Sequence, residues 1–130
     1  MLDTDTISFY FRNHKSVVSH LDEYLIEFGF VNLSVVTYYE IMNGLYFKDA
    51  QKQLEKFERF AELNEILPMT QKAAKKAAQI FSALRKNGVS IGHNEVMIAA
   101  IAIENDLKLI TNNENHFRMI ADLDWENWLI

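Results

Sequence analysis

The sequence contains no cysteine, which removes disulfides, thiol nucleophiles and thiolate metal sites from consideration. One proline (Pro68) and four glycines are all that punctuate its 130 residues. No linker, repeat or low-complexity tract stands out, so elements must be located by hydrophobic period and composition. No apolar run reaches the ~18 residues a membrane span requires. Met1 is followed at once by Leu-Asp-Thr-Asp, unlike the basic and apolar start of a signal or transit peptide. A Gly-rich phosphate loop, a G-x-S-x-G elbow and an HExxH pair are all missing, which leaves P-loop, serine-hydrolase and zinc-hydrolase chemistry without support. An excess of positive charge is missing too. The net charge of −5 counts against a nucleic-acid partner unless metal ions neutralise the contact surface, and it suits a basic protein partner. The expectation is a cytoplasmic protein, not membrane-bound, with a single domain over residues 1–130.

What is present is a succession of short apolar strands and amphipathic helices. Met1–Asp3 reads as the end of a strand, and Asp5–Arg12 as a helix capped by Thr4 or Asp5. His14–Phe28 has apolar residues at helical spacing and stops at Gly29. Val31–Ser34 reads as a strand, followed by a helix through Asn43 that Gly44 ends or kinks. Lys48–Leu63 is amphipathic, with Ala50, Leu54, Phe57 and Ala61 in its stripe. Glu65–Met69, around Pro68, suits an edge strand. Thr70–Lys86 is the most regular helix, ended by Gly88. Asn94–Asn105, with Gly92 as a turn before it and Asn94 as its candidate cap, could be a buried strand by its apolar run, but its alanines favour a helix. Leu107–Thr111 is an apolar strand, and a short helix, Glu114–Ile120, and a Trp-containing tail close the chain. Helical crossovers between short apolar strands imply a parallel sheet with helices on both faces. In such sheets ligands bind at the carboxyl ends of the strands.

That rule turns scattered polar residues into a candidate site. Asp3 closes the first strand, Glu40 lies in the helix after the second, Glu95 opens the helix before the last strand, and Asn113 follows that strand. Each has an ordinary structural use: Asp3 as a helix cap, Glu40 as a surface acid, Glu95 as a first-turn acid, Asn113 as a turn residue. Asp3, Glu95 and Asn113 can face one crevice at that sheet edge, Glu40 joins them only if its helix runs back over the edge, and this joint placement is what favours a site. Carboxylates gathered there repel one another until a proton or a cation neutralises them. Oxygen ligands without thiolates suit Mg²⁺ or Mn²⁺, and the chemistry that fits is hydrolysis of a phosphodiester.

With these motifs assembled, the chain resembles the PIN-domain ribonucleases of the VapC toxin type. The matching pieces are LDTD (2–5), LSVVTYYEIMNGL (33–45), IGHNEVMIAAIA (91–102), LITNNENHF (109–117) and the Trp-containing end, in that order and over essentially the whole chain. The resemblance implies a three-layer α/β/α fold with a central parallel sheet of four to five short strands. It implies a Mg²⁺- or Mn²⁺-dependent endoribonuclease, inhibited by a cognate antitoxin and forming a homodimer. By the same resemblance, Asp3 and Glu40 match the first and second acids. Asn113 falls where members carry Asp or Asn, and Glu95 stands where the motif normally has Asp. Asp3, Glu40 and Glu95 are thus the expected metal ligands. The substitution at position 95 opens an alternative, a catalytically weakened PIN domain acting mainly as an antitoxin-binding module.

Other features supply further candidates. His93 and His116 fall near strand ends, and two histidines can run acid–base RNA cleavage without metal. Lys72, Lys75 and Lys76, with Arg85 and Lys86, form a basic surface suited to RNA phosphates, and His116 is a further candidate for substrate contact. Lys48, Lys52, Lys56 and Arg59 share a stripe with Glu55, a pattern more typical of a solvated face. Aromatic residues cluster in the first third, among them Phe9, Tyr10, Phe11, Tyr38, Tyr39, Tyr46 and Phe47. They suit a core, an antitoxin groove or a dimer contact.

Overall fold

A computed structural model describes residues 1–130. Its helices are α1 (Thr4–Phe11), α2 (Lys15–Phe28), α3 (Val35–Phe47), α4 (Gln51–Leu63), α5 (Gln71–Lys86), α6 (His93–Glu104) and α7 (Glu114–Phe117). Its strands are β1 (Asn32–Ser34), β2 (Glu65–Leu67), β3 (Leu109–Ile110) and β4 (Trp125–Glu126). No helix is long and apolar enough to cross a membrane.

The strands join through a single residue. Leu2 bridges in parallel to Leu33 on one side and to Ile110 on the other. β1 pairs in parallel with β2, and β3 with β4. The spatial order is therefore β2, β1, Leu2, β3, β4, all parallel. Backbone bonds fix the centre: Leu2 N–H donates to Asn32 O at 2.8 Å and Asp3 N–H to Ile110 O at 2.9 Å. The expected first strand is thus one bridging residue between two neighbours, and β2 sits at an edge and stops at Leu67, before Pro68.

Side chains alternate across these strands. Met1, Leu67 and Leu109 enter a core with α5, α6 and α7, whereas Leu2, Leu33 and Ile110 enter a second core with α1 to α4. Two cores on two faces make the three-layer α/β/α architecture. α6 is buried nearly all round, from Val96 through Ile98 to Ala102. Its alanines give it helix propensity and let sheet and α5 approach closely, so the apolar run is a helix and not a strand.

Several boundaries differ from the sequence expectation. α1 begins at Thr4 with Asp3 as its cap, one position before Thr4 and two before Asp5, the expected caps. α3 runs through Gly44 to Phe47, because the helix packs on both sides of that glycine and its backbone stays helical. α4 begins at Gln51 and not Lys48, since Asp49 takes a left-handed turn (φ 52°). α6 is capped at Gly92, not Asn94. α7 stops at Phe117 because the chain continues as tight turns, with Ile120 N–H bonded to Phe117 O. β4 was not legible as a strand: it is two residues long with no alternation to read.

Phe57 on α4 is 1% exposed and packs against Phe11, Tyr38 and Phe60. Phe57→Ala is expected to cost about 3–5 kcal/mol of stability, read as a lower urea midpoint at an unchanged slope.

Candidate active site

The carboxyl ends of the parallel strands open into a crevice of about 580 Å³. Asp3, Thr4, Asp5, Glu40, Gly92, His93, Asn94, Glu95, Ile98, Asn113 and His116 line it. Asp3, Glu40, Glu95 and Asn113, from four separate elements of the chain, therefore line one crevice, with His116 and His93 at the same mouth.

Asp3 sits where Leu2 leaves the sheet, and is 5% exposed. Its Oδ1 accepts the Thr4 N–H at 2.8 Å, capping α1, and its Oδ2 accepts the Thr111 hydroxyl at 2.7 Å. The capping use and the site use are one placement. Burial, then the neighbouring Asp5 carboxylate and finally Glu40, push the Asp3 carboxyl up to about 7, against the pull of the Thr111 and Thr4 bonds. Asp5 is raised as well, chiefly by burial, although Asn112 N–H donates to its Oδ2 at 3.1 Å.

Glu40 reaches the crevice without α3 turning back. Ser34 ends β1 and caps α3 by accepting the Thr37 N–H at 3.0 Å, so the first turns of the helix stand on the sheet edge. Thr37 and Glu40, three residues apart, share a face. The Thr4 hydroxyl donates to Glu40 Oε1 at 2.6 Å and lies 3.1 Å from the Thr37 hydroxyl. Asn94 Nδ2 donates to Glu40 Oε2 at 3.4 Å.

Glu95 forms the opposite wall. Its Oε1 accepts the Gly92 N–H at 3.0 Å, the backward reach of a capping-box glutamate. Glycine leaves room for that reach, since a Cβ at position 92 would stand 2.9 Å from Oε1. Glu95 Oε2 accepts Asn113 Nδ2 at 2.6 Å and contacts His116 Nδ1. Both oxygens of this carboxylate thus have protein partners. His93 stacks on Phe81 of α5, ring centroids 4.2 Å apart.

Three of the basic candidates lie elsewhere, whereas Arg85 and Lys86 close the opposite end of α5. Thr70 at the start of α5 bonds to Glu104 at the end of α6, while Phe81 meets His93 at the α6 start, so the two helices run in opposite directions. Lys72, Lys75 and Lys76 are therefore at the end of α5 remote from the crevice, and Lys76 pairs with Asp122 at 2.7 Å. Conversely, the sequence marks Thr4, Asp5 and Asn94 only as possible caps and Thr111 only as a strand end. The acid pair two residues apart in LDTD was the available signal for Asp5. A helix that starts directly at a strand end must present both acids at its mouth.

No three Asp, Glu or His side chains close on one point as a ready-made metal cage. Mg²⁺ does not need one, because it keeps several waters and is typically bound through one or two carboxylates. The donor set is all oxygen, and a carboxyl raised first by burial and then by its acidic neighbours is what a cation relieves. The residues present therefore fit a hard divalent ion.

The PIN domain family model matches residues 1–123. The chain is 26% identical over 129 residues to "Ribonuclease VapC1" of Haemophilus influenzae (strain R2866), covering 98% of this chain and 96% of that one. It is 28% identical over 129 residues to "tRNA(fMet)-specific endonuclease VapC" of Shigella flexneri, with the same coverage of 98% and 96%. Among solved structures, VapBC2 from Rickettsia felis bound to a promoter DNA fragment matches with a TM-score of 0.88 and 28% identity, over 98% of this chain and 97% of that one.

Proposed function

The chain belongs to the PIN-domain family, and on that premise we propose that it is a metal-dependent endoribonuclease, the toxin of a toxin–antitoxin pair acting in the cytoplasm. The observation that carries this reading is the crevice at the strand ends, where Asp3, Asp5, Glu40 and Glu95 meet and Asp3 is raised to about 7. The names of its relatives support the substrate class, RNA. Asp3 and Glu40 would hold Mg²⁺ or Mn²⁺, with Glu95 on the facing wall. When bound, the ion supplies a water of lowered pKa and neutralises charge on the phosphorus oxygens. Thr4 and Thr111 hold the Asp3 carboxyl in place, and Thr4 and Asn94 hold Glu40. Asn113 and His116 fix Glu95. His93, Asn94 and Glu95 of the first turn of α6 line the crevice, and a helix N-terminus suits a phosphate.

The partner reading rests on a second groove, of about 480 Å³, between α1, α3 and α4. Ile7, Phe11, Ile41, Leu45 and Phe57 make its apolar lining, and Arg12, Lys48 and Lys56 its basic groups. An antitoxin segment with apolar and acidic side chains is the complementary occupant. Val35, Tyr39 and Tyr46 form an exposed stripe on α3 that we assign to a second copy of the chain.

Cleavage of RNA by the purified protein is expected with Mg²⁺ or Mn²⁺ and to be abolished by EDTA. Cleavage that survives chelation would move the chemistry to His93 and His116 acting as acid and base. A specific observation also favours a second reading. Both oxygens of Glu95 are engaged by Gly92, Asn113 and His116. A carboxylate so held fits a weakened nuclease whose main role is to bind the antitoxin.

A further inference from the structure

We propose that Asn127, just after β4, is a positioning residue that latches the active-site loop, residues 111–116, from its outer side. The proposal rests on the nuclease reading of the crevice. The inner side of this loop is held by the site itself: Thr111 donates to Asp3, the Asn112 N–H to Asp5, and Asn113 Nδ2 to Glu95. Those inner partners are acids that repel one another and must also meet a cation and a phosphate. They cannot set the loop position by themselves. Asn127 supplies a second support that takes no part in the crevice. Its Nδ2 donates to Asn112 Oδ1 at 3.0 Å and to Glu114 Oε2 at 2.6 Å. Its Oδ1 accepts the Leu129 N–H at 2.9 Å, which fixes the amide with nitrogen toward the loop.

The post itself is rigid. On one side β4 is pinned to β3, with Thr111 N–H bonded to Glu126 O at 2.9 Å. On the other side Trp128 is 5% exposed, and its carbonyl accepts the Ser16 hydroxyl at 2.6 Å. The consecutive asparagines then divide the work: Asn112 faces the latch and Asn113 faces Glu95. Loss of the latch lets the loop drift, and drift of about 1 Å at a reacting centre is enough to cost ~10–10²-fold in rate.

The test reverses the hydrogen bond. Asn127→Asp sets a carboxylate against Glu114 Oε2, and adding Glu114→Gln restores a donor opposite it. In the metal-free protein, hydrogen exchange of the Asn112 and Asn113 amides is expected to speed up about tenfold in Asn127→Asp while the β3 amide of Ile110 is unchanged, and to return to the wild-type rate in the double variant. RNA cleavage by Asn127→Asp is expected to show kcat lowered about tenfold at unchanged KM, again restored in the double variant. Unchanged loop exchange, or a double variant no better than Asn127→Asp, overturns the latch. Exchange is read without metal or substrate, so it decides the latch even if the wild type cleaves no RNA, a result that would overturn the nuclease reading instead.

Discussion

Asp3→Asn is expected to be more stable than the wild type in metal-free buffer at pH 8, and to have lost the stabilisation that Mg²⁺ confers. Asp3 titrates near 3.8 in an unfolded chain and is pushed up to about 7 in the folded protein by burial and by Asp5 and Glu40. A folded-state pKa above the unfolded value means that the folded protein binds more protons between those limits. Its stability is therefore complete below the unfolded value and declines as pH rises toward 7. A shift of about three units corresponds to roughly 4 kcal/mol. Asparagine keeps the cap on the Thr4 N–H but gives up the Thr111 hydroxyl bond, worth about 1 kcal/mol. The expected net gain at pH 8 is about 2–3 kcal/mol, vanishing near pH 4, where wild-type Asp3 is protonated in the folded state. Urea melts across that range check it. Added Mg²⁺ should raise wild-type stability by linkage and leave the variant unmoved. A wild type whose stability is flat between pH 4 and 8 would mean that Asp3 carries no such strain.

On the weakened-nuclease reading, Glu95→Asp is expected to raise Mg²⁺-dependent cleavage by roughly 10–10²-fold, the effect of moving a carboxylate by about 1 Å. The extra methylene of Glu95 lets Oε1 reach back to the Gly92 N–H at 3.0 Å. Aspartate is too short for that reach, so its carboxylate is free to face Asp3 and Glu40 across the crevice. The loss of the cap should cost about 0.5–1 kcal/mol of stability. Higher activity with slightly lower stability would locate the attenuation in the cap. Equal cleavage by the two proteins would overturn the weakened-nuclease reading.

Much of this site was legible because it follows from topology. Strands joined by helical crossovers must run parallel, and parallel strands bring their carboxyl ends to one edge. Asp3, Glu95 and Asn113 follow from that rule once Leu2, Leu33 and Ile110 are recognised as strand residues; Glu40 does not, because its arrival depends on α3 starting directly on the sheet edge at Ser34. Other features were out of reach for physical reasons. β4 is two residues long, so it has no period to read. Asp49 enters a left-handed turn that its type permits but does not announce. The orientation of α5 against α6 depends on packing through Ala73, Ala77 and the α6 alanines, and it decides that Lys72, Lys75 and Lys76 face away from the crevice. The capping of Gly92 by Glu95 was half visible, as a first-turn acid. Only the folded loop shows that Asn113 and His116 take its other oxygen.

The most direct measurement is cleavage of total cellular RNA by the wild type and Asp3→Asn, with and without Mg²⁺, and with the new 5′ ends mapped. Discrete ends that appear only with wild-type protein and Mg²⁺, in tRNA or another RNA, are the expected result. The same ends produced by Asp3→Asn, or by the wild type in EDTA, would contradict a metal-dependent site built on Asp3.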